Sequence, residues 1–151
     1  MHQGLAAWRA TGAEIARPSY LALLAEWHGK AGQGAAGLDV LAKASAAAQH
    51  RQERFYEAEF YRLEGELLLA QSVDRVAEAA TCFQHALSIA RQQQARWWEL
   101  RAAMSLSRLW QQQGKRADAR DLLAPIYSWF TEGFDTADLQ EAKALLETLG
   151  G

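Results

Sequence analysis

The run "RWWELRAAMSLSRLWQQQG", residues 96–114, decides how the rest of the chain is read. Leu100, Ala103, Leu106, Leu109 and Trp110 recur at helical spacing, the stripe of a helix with a buried face. Gly114 follows the last periodic residue, where a left-handed backbone position closes a helix. The head of the run sets two tryptophans between an arginine and a glutamate, and that head occurs twice. Arg54, Phe55, Tyr56 and Glu57 lie 42 positions before Arg96, Trp97, Trp98 and Glu99. The same offset sets Gly65 on Ser107, Leu67 on Leu109 and Leu68 on Trp110. Self-similarity at a fixed period is the mark of stacked units.

The period holds further along. Phe83, Ala86 and Leu87 precede Leu123, Ile126 and Tyr127 by 40 positions, the two-residue difference falling in the turn "QSVDR". A step of 40 upstream sets Gly65 on Ala25, Leu67 on Trp27 and Phe83 on Leu41. Three units follow, at about 18–50, 51–93 and 94–132, each with two apolar stripes of helical period. "KAGQGAAG", "QSVDR" and "QQQGKRAD" read as turns, with Gly32 and Gly114 at helix ends. Turns this short predict antiparallel neighbours. Leu5, Trp8, Gly12 and Ile15 read as a half-repeat over 1–17. Asp135 or Thr136 is the expected cap of a final helix over 135–149, whose face is Leu139, Ala142, Leu145, Leu146 and Leu149. Pro125 removes a backbone donor inside the last unit's second helix and is expected to kink it.

Alanine and leucine dominate a chain that is half hydrophobic, while valine, isoleucine and threonine are scarce, so the fold class is all-α. The formal net charge of -2 carries none of the basic footprint of a nucleic-acid binder. No apolar run approaches the roughly 20 residues of a membrane span, and the charged amino-terminal stretch is unlike a secretion signal. Cys82 is the single cysteine. A cytoplasmic chain with no partner in nucleic acid or membrane is the expectation.

The pattern resembles the tetratricopeptide repeat, in which a small residue sits inside the first helix of each pair and small–large–small spacing marks the second. Tyr61, Gly65 and Leu68 with Ala79, Phe83 and Ala86 match in the middle unit. Ala103, Leu106, Ser107 and Trp110 with Ala119, Leu123 and Ile126 match in the last, and Leu21, Leu24, Ala25 and His28 with Gly37, Leu41 and Ala44 in the first. The family's unit is about 34 residues, so these are longer. The resemblance implies a right-handed α-solenoid of antiparallel helix pairs, first helices lining a concave face. Within the family, the run from Leu100 to Leu149, with "YRLEGELLLAQ" and "GLAAWRATGAEIARPSYLALLAE", is similar to the carboxyl-terminal arrays of bacterial predicted ATPases, many fused to adenylate or guanylate cyclase domains. There the array is a regulatory arm. A phosphate-binding G-x-x-x-x-G-K-S/T motif is missing here, since Gly29-Lys30 and Gly114-Lys115 lack the rest of it.

On that register the concave face carries Glu26, Glu59, Arg62, Glu66, Arg101, Met104, Arg108 and Gln111. Glu59 and Glu66 fall at the positions of Arg101 and Arg108 one unit on, so two cross-unit ion pairs are expected, Glu59 with Arg101 and Glu66 with Arg108, as exposed pairs each worth about 0–1 kcal/mol. Arg62, Glu66, Met104 and Arg108 depart from the lysine and asparagine set by which family members grip a chaperone tail's terminal carboxylate. Other chemistry is thin. Cys82 and His85 share a helical face, but two ligands do not make a zinc site. His28 stands where the family often has tyrosine and reads as a packing residue; His50 and Glu53 read as solvated. Of each aromatic pair, Phe55–Tyr56 and Trp97–Trp98, one member is expected to pack between units and the other to be partly exposed.

The expected function is a non-enzymatic scaffold for a protein or peptide partner, serving an ATPase or cyclase, with no cofactor or metal. The alternative is a small-molecule sensor whose ligand sits near Arg62, Met104 and Trp110. The stripe of Leu5, Trp8 and Ile15, lacking a partner helix, is further expected to form a homodimer.

Overall fold

The computed structural model describes residues 17–50 and 55–150. Seven α-helices make up most of them: α1 (Arg17–Lys30), α2 (Gly34–His50), α3 (Glu57–Gln71), α4 (Val76–Gln92), α5 (Arg96–Gln112), α6 (Arg116–Trp129) and α7 (Ala137–Gly150). No strand occurs among the described residues. The protein is all-helical, as a chain rich in alanine and leucine should be. Pro125 lies on the exposed side of α6, which continues past it to Trp129.

Three of the turns close in the same way. Gly32 (φ 76°), Gln94 (φ 56°) and Gly114 (φ 81°) each take the left-handed conformation two positions after the last residue of a helix. In each the next residue's N–H reaches back five positions: Gln33 to the His28 carbonyl (2.8 Å), Ala95 to Ala90 (2.9 Å) and Lys115 to Trp110 (2.8 Å). This satisfies carbonyls that a helix end leaves open. The glycines are legible in the sequence; Gln94 is not, because an L side chain there resists the conformation. The α3–α4 connection differs, with Ser72 extended, its hydroxyl accepting the Asp74 N–H at 3.2 Å and a short 3-10 turn over Val73–Arg75. It falls where the repeat spacing changes from 42 to 40.

Small residues set how closely helices meet. A Cβ added at Gly65 would lie 2.5 Å from the Phe83 ring, so α3 and α4 touch there through glycine alone. At Gly37 it would meet Leu67 at 2.6 Å and the Ala25 carbonyl at 3.1 Å. Ala25, Gly65 and Ser107, superposed by the repeat, are all buried. Ser107 also uses its hydroxyl, which donates to the Ala119 carbonyl of α6 at 3.2 Å.

Every helix packs on its chain neighbour. In addition α1 packs on α3, α3 on α5 and α5 on α7, whereas among the described residues the backbones of α2, α4 and α6 do not pack on one another. The odd-numbered helices thus form one continuous row. α5, touched by α3, α4, α6 and α7, is buried on nearly all sides: Leu100, Ala102, Ala103, Met104, Ser105 and Leu106 are all below a tenth exposed. Apolar clusters run along the row, one joining α1, α2 and α3 around Leu41 and Leu67, another joining α5, α6 and α7 around Leu100, Leu123 and Leu139. Among the described residues no helix is long and apolar enough to cross a membrane. The half-repeat at 1–17, and with it the dimer edge at Leu5, Trp8 and Ile15, lies outside the described residues apart from Arg17, which opens α1.

Candidate binding groove

The row of odd-numbered helices carries a groove of about 770 Å³. α1 contributes Glu26, Gly29 and Lys30, and α3 contributes Arg62, Leu63, Glu66, Leu67, Leu69 and Ala70. α5 adds Arg101, Met104, Arg108 and Gln112, α7 adds Ala137, Asp138 and Glu141, and Val76 of α4 completes the wall. Position follows from helical period: Arg62, Glu66 and Leu69 lie on one face of α3, as Arg101, Met104 and Arg108 do on α5.

Six of the eight residues read from the sequence line this groove: Glu26, Arg62, Glu66, Arg101, Met104 and Arg108. Glu59 does not. It is buried beneath the wall, 6% exposed, and bonds to two arginines that do. Gln111 is also off the lining, and its neighbour Gln112 takes that place, because the last turn of α5 carries the one-residue offset round by about 100°. Trp110, invoked for a sensor, packs against the apolar clusters that α5 shares with its neighbouring helices and is not on the lining.

Glu59 and Arg101 pair as the repeat register requires, Arg101 Nη2 lying 3.1 Å from Glu59 Oε1. Sequence reasoning gave this as an exposed contact; it is instead part of a buried network. Arg62, itself 7% exposed, donates from Nε to Glu59 Oε1 at 3.0 Å and from Nη1 to Ser105 Oγ at 3.3 Å. Arg101 extends the chain with Nη1 bonded to both Asp138 carboxylate oxygens at 3.1 Å. α3, α5 and α7 are therefore tied by alternating charges in the order Glu59, Arg101, Asp138. Burial works against the charge on the Arg101 guanidinium, but Glu59 and Asp138 outweigh it and raise its pKa above the ordinary arginine value.

The second expected pair is not formed. Arg108 turns to Glu141 on α7 (3.2 Å), and among the described residues Glu66 keeps only a longer contact to Arg62 (3.8 Å). The reason is α7, whose Asp138 and Glu141 lie one turn apart and face the α5 arginines. Sequence reasoning gave that helix a capping role and did not foresee its carboxylates in the groove. Their spacing of three was a usable signal.

The motif that heads α5 resolves into a clamp on the α4–α5 turn. Glu99, 5% exposed, accepts from Arg91 at the end of α4 (3.0 Å) and from Arg96 at the start of α5 (3.1 Å). Trp97 packs edge-on against Phe130 at 5.5 Å, and Trp98 lies 5.7 Å from Phe55 and 5.9 Å from Tyr56, joining the head of α5 to the turn before α3. Both tryptophans are half-buried; of the other pair Tyr56 is half-buried and Phe55 largely exposed. The two heads are not structurally equal, since α5 begins at Arg96 whereas Phe55 and Tyr56 precede α3 in a turn.

The remaining candidates are packing residues. His28 is buried, with Nδ1 2.7 Å from Gln33 Oε1 and its ring edge-on to Trp27. Cys82 is half-buried, and its thiol is pushed up to about 11 by burial and then by Glu64 and Glu78. His85 is exposed and stacks on Tyr61 at 4.2 Å. Among the described residues no three His, Cys, Asp or Glu side chains are grouped to hold a metal ion. Glu53 and the His50 side chain lie outside the described residues. No protein-family model matches the chain, and no curated protein matches it.

Proposed function

We propose that this chain is a non-enzymatic scaffold that receives a peptide or protein segment in the groove of α1, α3, α5 and α7. The observation that carries the reading is the groove itself: about 770 Å³, crossing four helices, with charged walls over Leu63, Leu67 and Met104. A surface of that kind suits an amphipathic or extended segment. The contact order among helices supports an α-solenoid of antiparallel pairs in the manner of tetratricopeptide repeats, because first helices that touch in series form the inner row of such an array. On this reading the units are α1–α2, α3–α4 and α5–α6, with α7 as the cap. The resemblance read from the run Leu100 to Leu149, if it extends to function, makes a nucleotide-hydrolysing or cyclase domain the candidate partner.

The test is competition at the groove. Peptides selected by display on the full chain should lose binding to Arg108→Glu and keep it for Gln84→Glu, a change on the exposed side of α4. Selected binders indifferent to Arg108→Glu would remove the basis of the scaffold reading. The regulatory-arm part is tested by co-purification with a nucleotide-binding domain from an adjoining reading frame, which should fail for the same groove variant.

A further inference from the structure

Charge in the groove does not balance, and the imbalance has an address. With Glu59 beneath the wall included, four cations meet five carboxylates among the described residues. Four of those carboxylates have a cation at 3.4 Å or closer: Glu26 has Lys30, Glu59 has Arg62 and Arg101, Asp138 has Arg101, and Glu141 has Arg108. Glu66 does not. Its nearest cation is Arg62 at 3.8 Å, and that guanidinium already serves Glu59 and Ser105. Arg108, the partner its register position selects, is held by Glu141. Glu66 is 40% exposed on the groove wall and forms no hydrogen bond with the described residues at either carboxylate oxygen. Leu63, Leu69 and Ala70, one turn before and after it on α3, line the same groove.

We infer that the segment bound in this groove carries an arginine whose guanidinium seats on Glu66. Two open oxygens match the two-pronged donor of arginine better than the point charge of lysine. The aliphatic stem would lie along Leu69 and Ala70, where long basic side chains gain contact with apolar surface. This inference rests on the scaffold reading above and adds the chemistry of the occupant.

Three peptide-display libraries, identical except for a fixed central arginine, glutamate or alanine, would be selected on the full chain. The arginine library should yield the tighter binders. Their dissociation constants, read by fluorescence anisotropy, should rise about tenfold or more on Glu66→Gln, the range expected for losing a charge-assisted hydrogen bond. Glu66→Arg should turn the preference toward the glutamate library. A circular-dichroism melt shows that each variant is folded, which a partly exposed site permits. Arginine-library binders that ignore Glu66→Gln overturn the inference, as does a glutamate library that wins on the unaltered chain. Alanine-library binders that match the arginine library, lost to Arg108→Glu but not to Glu66→Gln, would preserve the scaffold reading and sink only the arginine seat. If no library enriches, both fall.

Discussion

Replacing Glu59 by glutamine keeps the shape of the side chain and removes the charge that Arg62 and Arg101 share. Arg101 retains Asp138 at 3.1 Å and is a quarter exposed, so its loss is modest. Arg62 fares worse. It is 7% exposed and exchanges a two-oxygen carboxylate for an amide with a single acceptor oxygen and an N–H₂ that repels its donors, with Ser105 at 3.3 Å and the longer contact to Glu66 as its other partners. Removing one partner of a buried ion pair costs about 3–5 kcal/mol, and the surviving contacts place this change at the lower end, about 3 kcal/mol. For a chain of this size that corresponds to a melting temperature lower by about 6–12 °C. In urea, with a slope of about 2 kcal/mol per molar, the midpoint should fall by about 1.5 M. The six tryptophans provide the fluorescence signal. Glu141→Gln is the control, because its pair with Arg108 is exposed at both ends and should contribute less than about 1 kcal/mol. A Glu59→Gln loss no larger than the Glu141→Gln loss would refute the claim that burial gives the first network its strength.

Three other changes test separate features. Gly65→Ala forces a Cβ against the Phe83 ring at 2.5 Å and should destabilise by about 1–3 kcal/mol in chemical denaturation, with partial recovery when Phe83→Leu is added. Gln94→Gly relieves a left-handed side-chain conformation at an exposed turn, and the melting point should rise by an amount equivalent to about 0.5–1 kcal/mol once glycine's added chain entropy is set against it. Cys82, with its thiol at about 11 against an ordinary 9.0, should alkylate slowly at pH 8, with about a hundredfold less thiolate than a free cysteine and a rate still climbing above pH 10. The unfolded thiol loses its proton first, so this group's contribution to stability is complete below pH 9 and falls as pH rises toward 11.

Spacing alone carried much of the architecture. Helical stripes and glycine stops gave helix type and most boundaries, because backbone conformation and apolar period are local properties. The pairing of Glu59 with Arg101 was legible because the 42-residue offset matches these positions and α3 packs on α5. Its burial was not, since that depends on how closely α3 and α5 pack side by side. The failure of Glu66 to meet Arg108 has a different origin: a long arginine side chain chooses among several carboxylates, and sequence register identifies only one of them. Gln94 escaped notice because nothing in its own residue type calls for a left-handed turn. The exchange of Gln112 for Gln111 shows the precision of such reasoning, about one residue at the end of a helix.

The claim beneath all of this is that odd-numbered helices present the working face and even-numbered helices support it. Backbone amide shift mapping by NMR, with a display-selected peptide added to the full chain, tests it directly. The account predicts that resonances of Glu66, Met104, Arg108 and Asp138 move on binding while those on the exposed sides of α4 and α6 stay in place. Shifts centred on Gln84 and Arg120, with the groove unmoved, would contradict it.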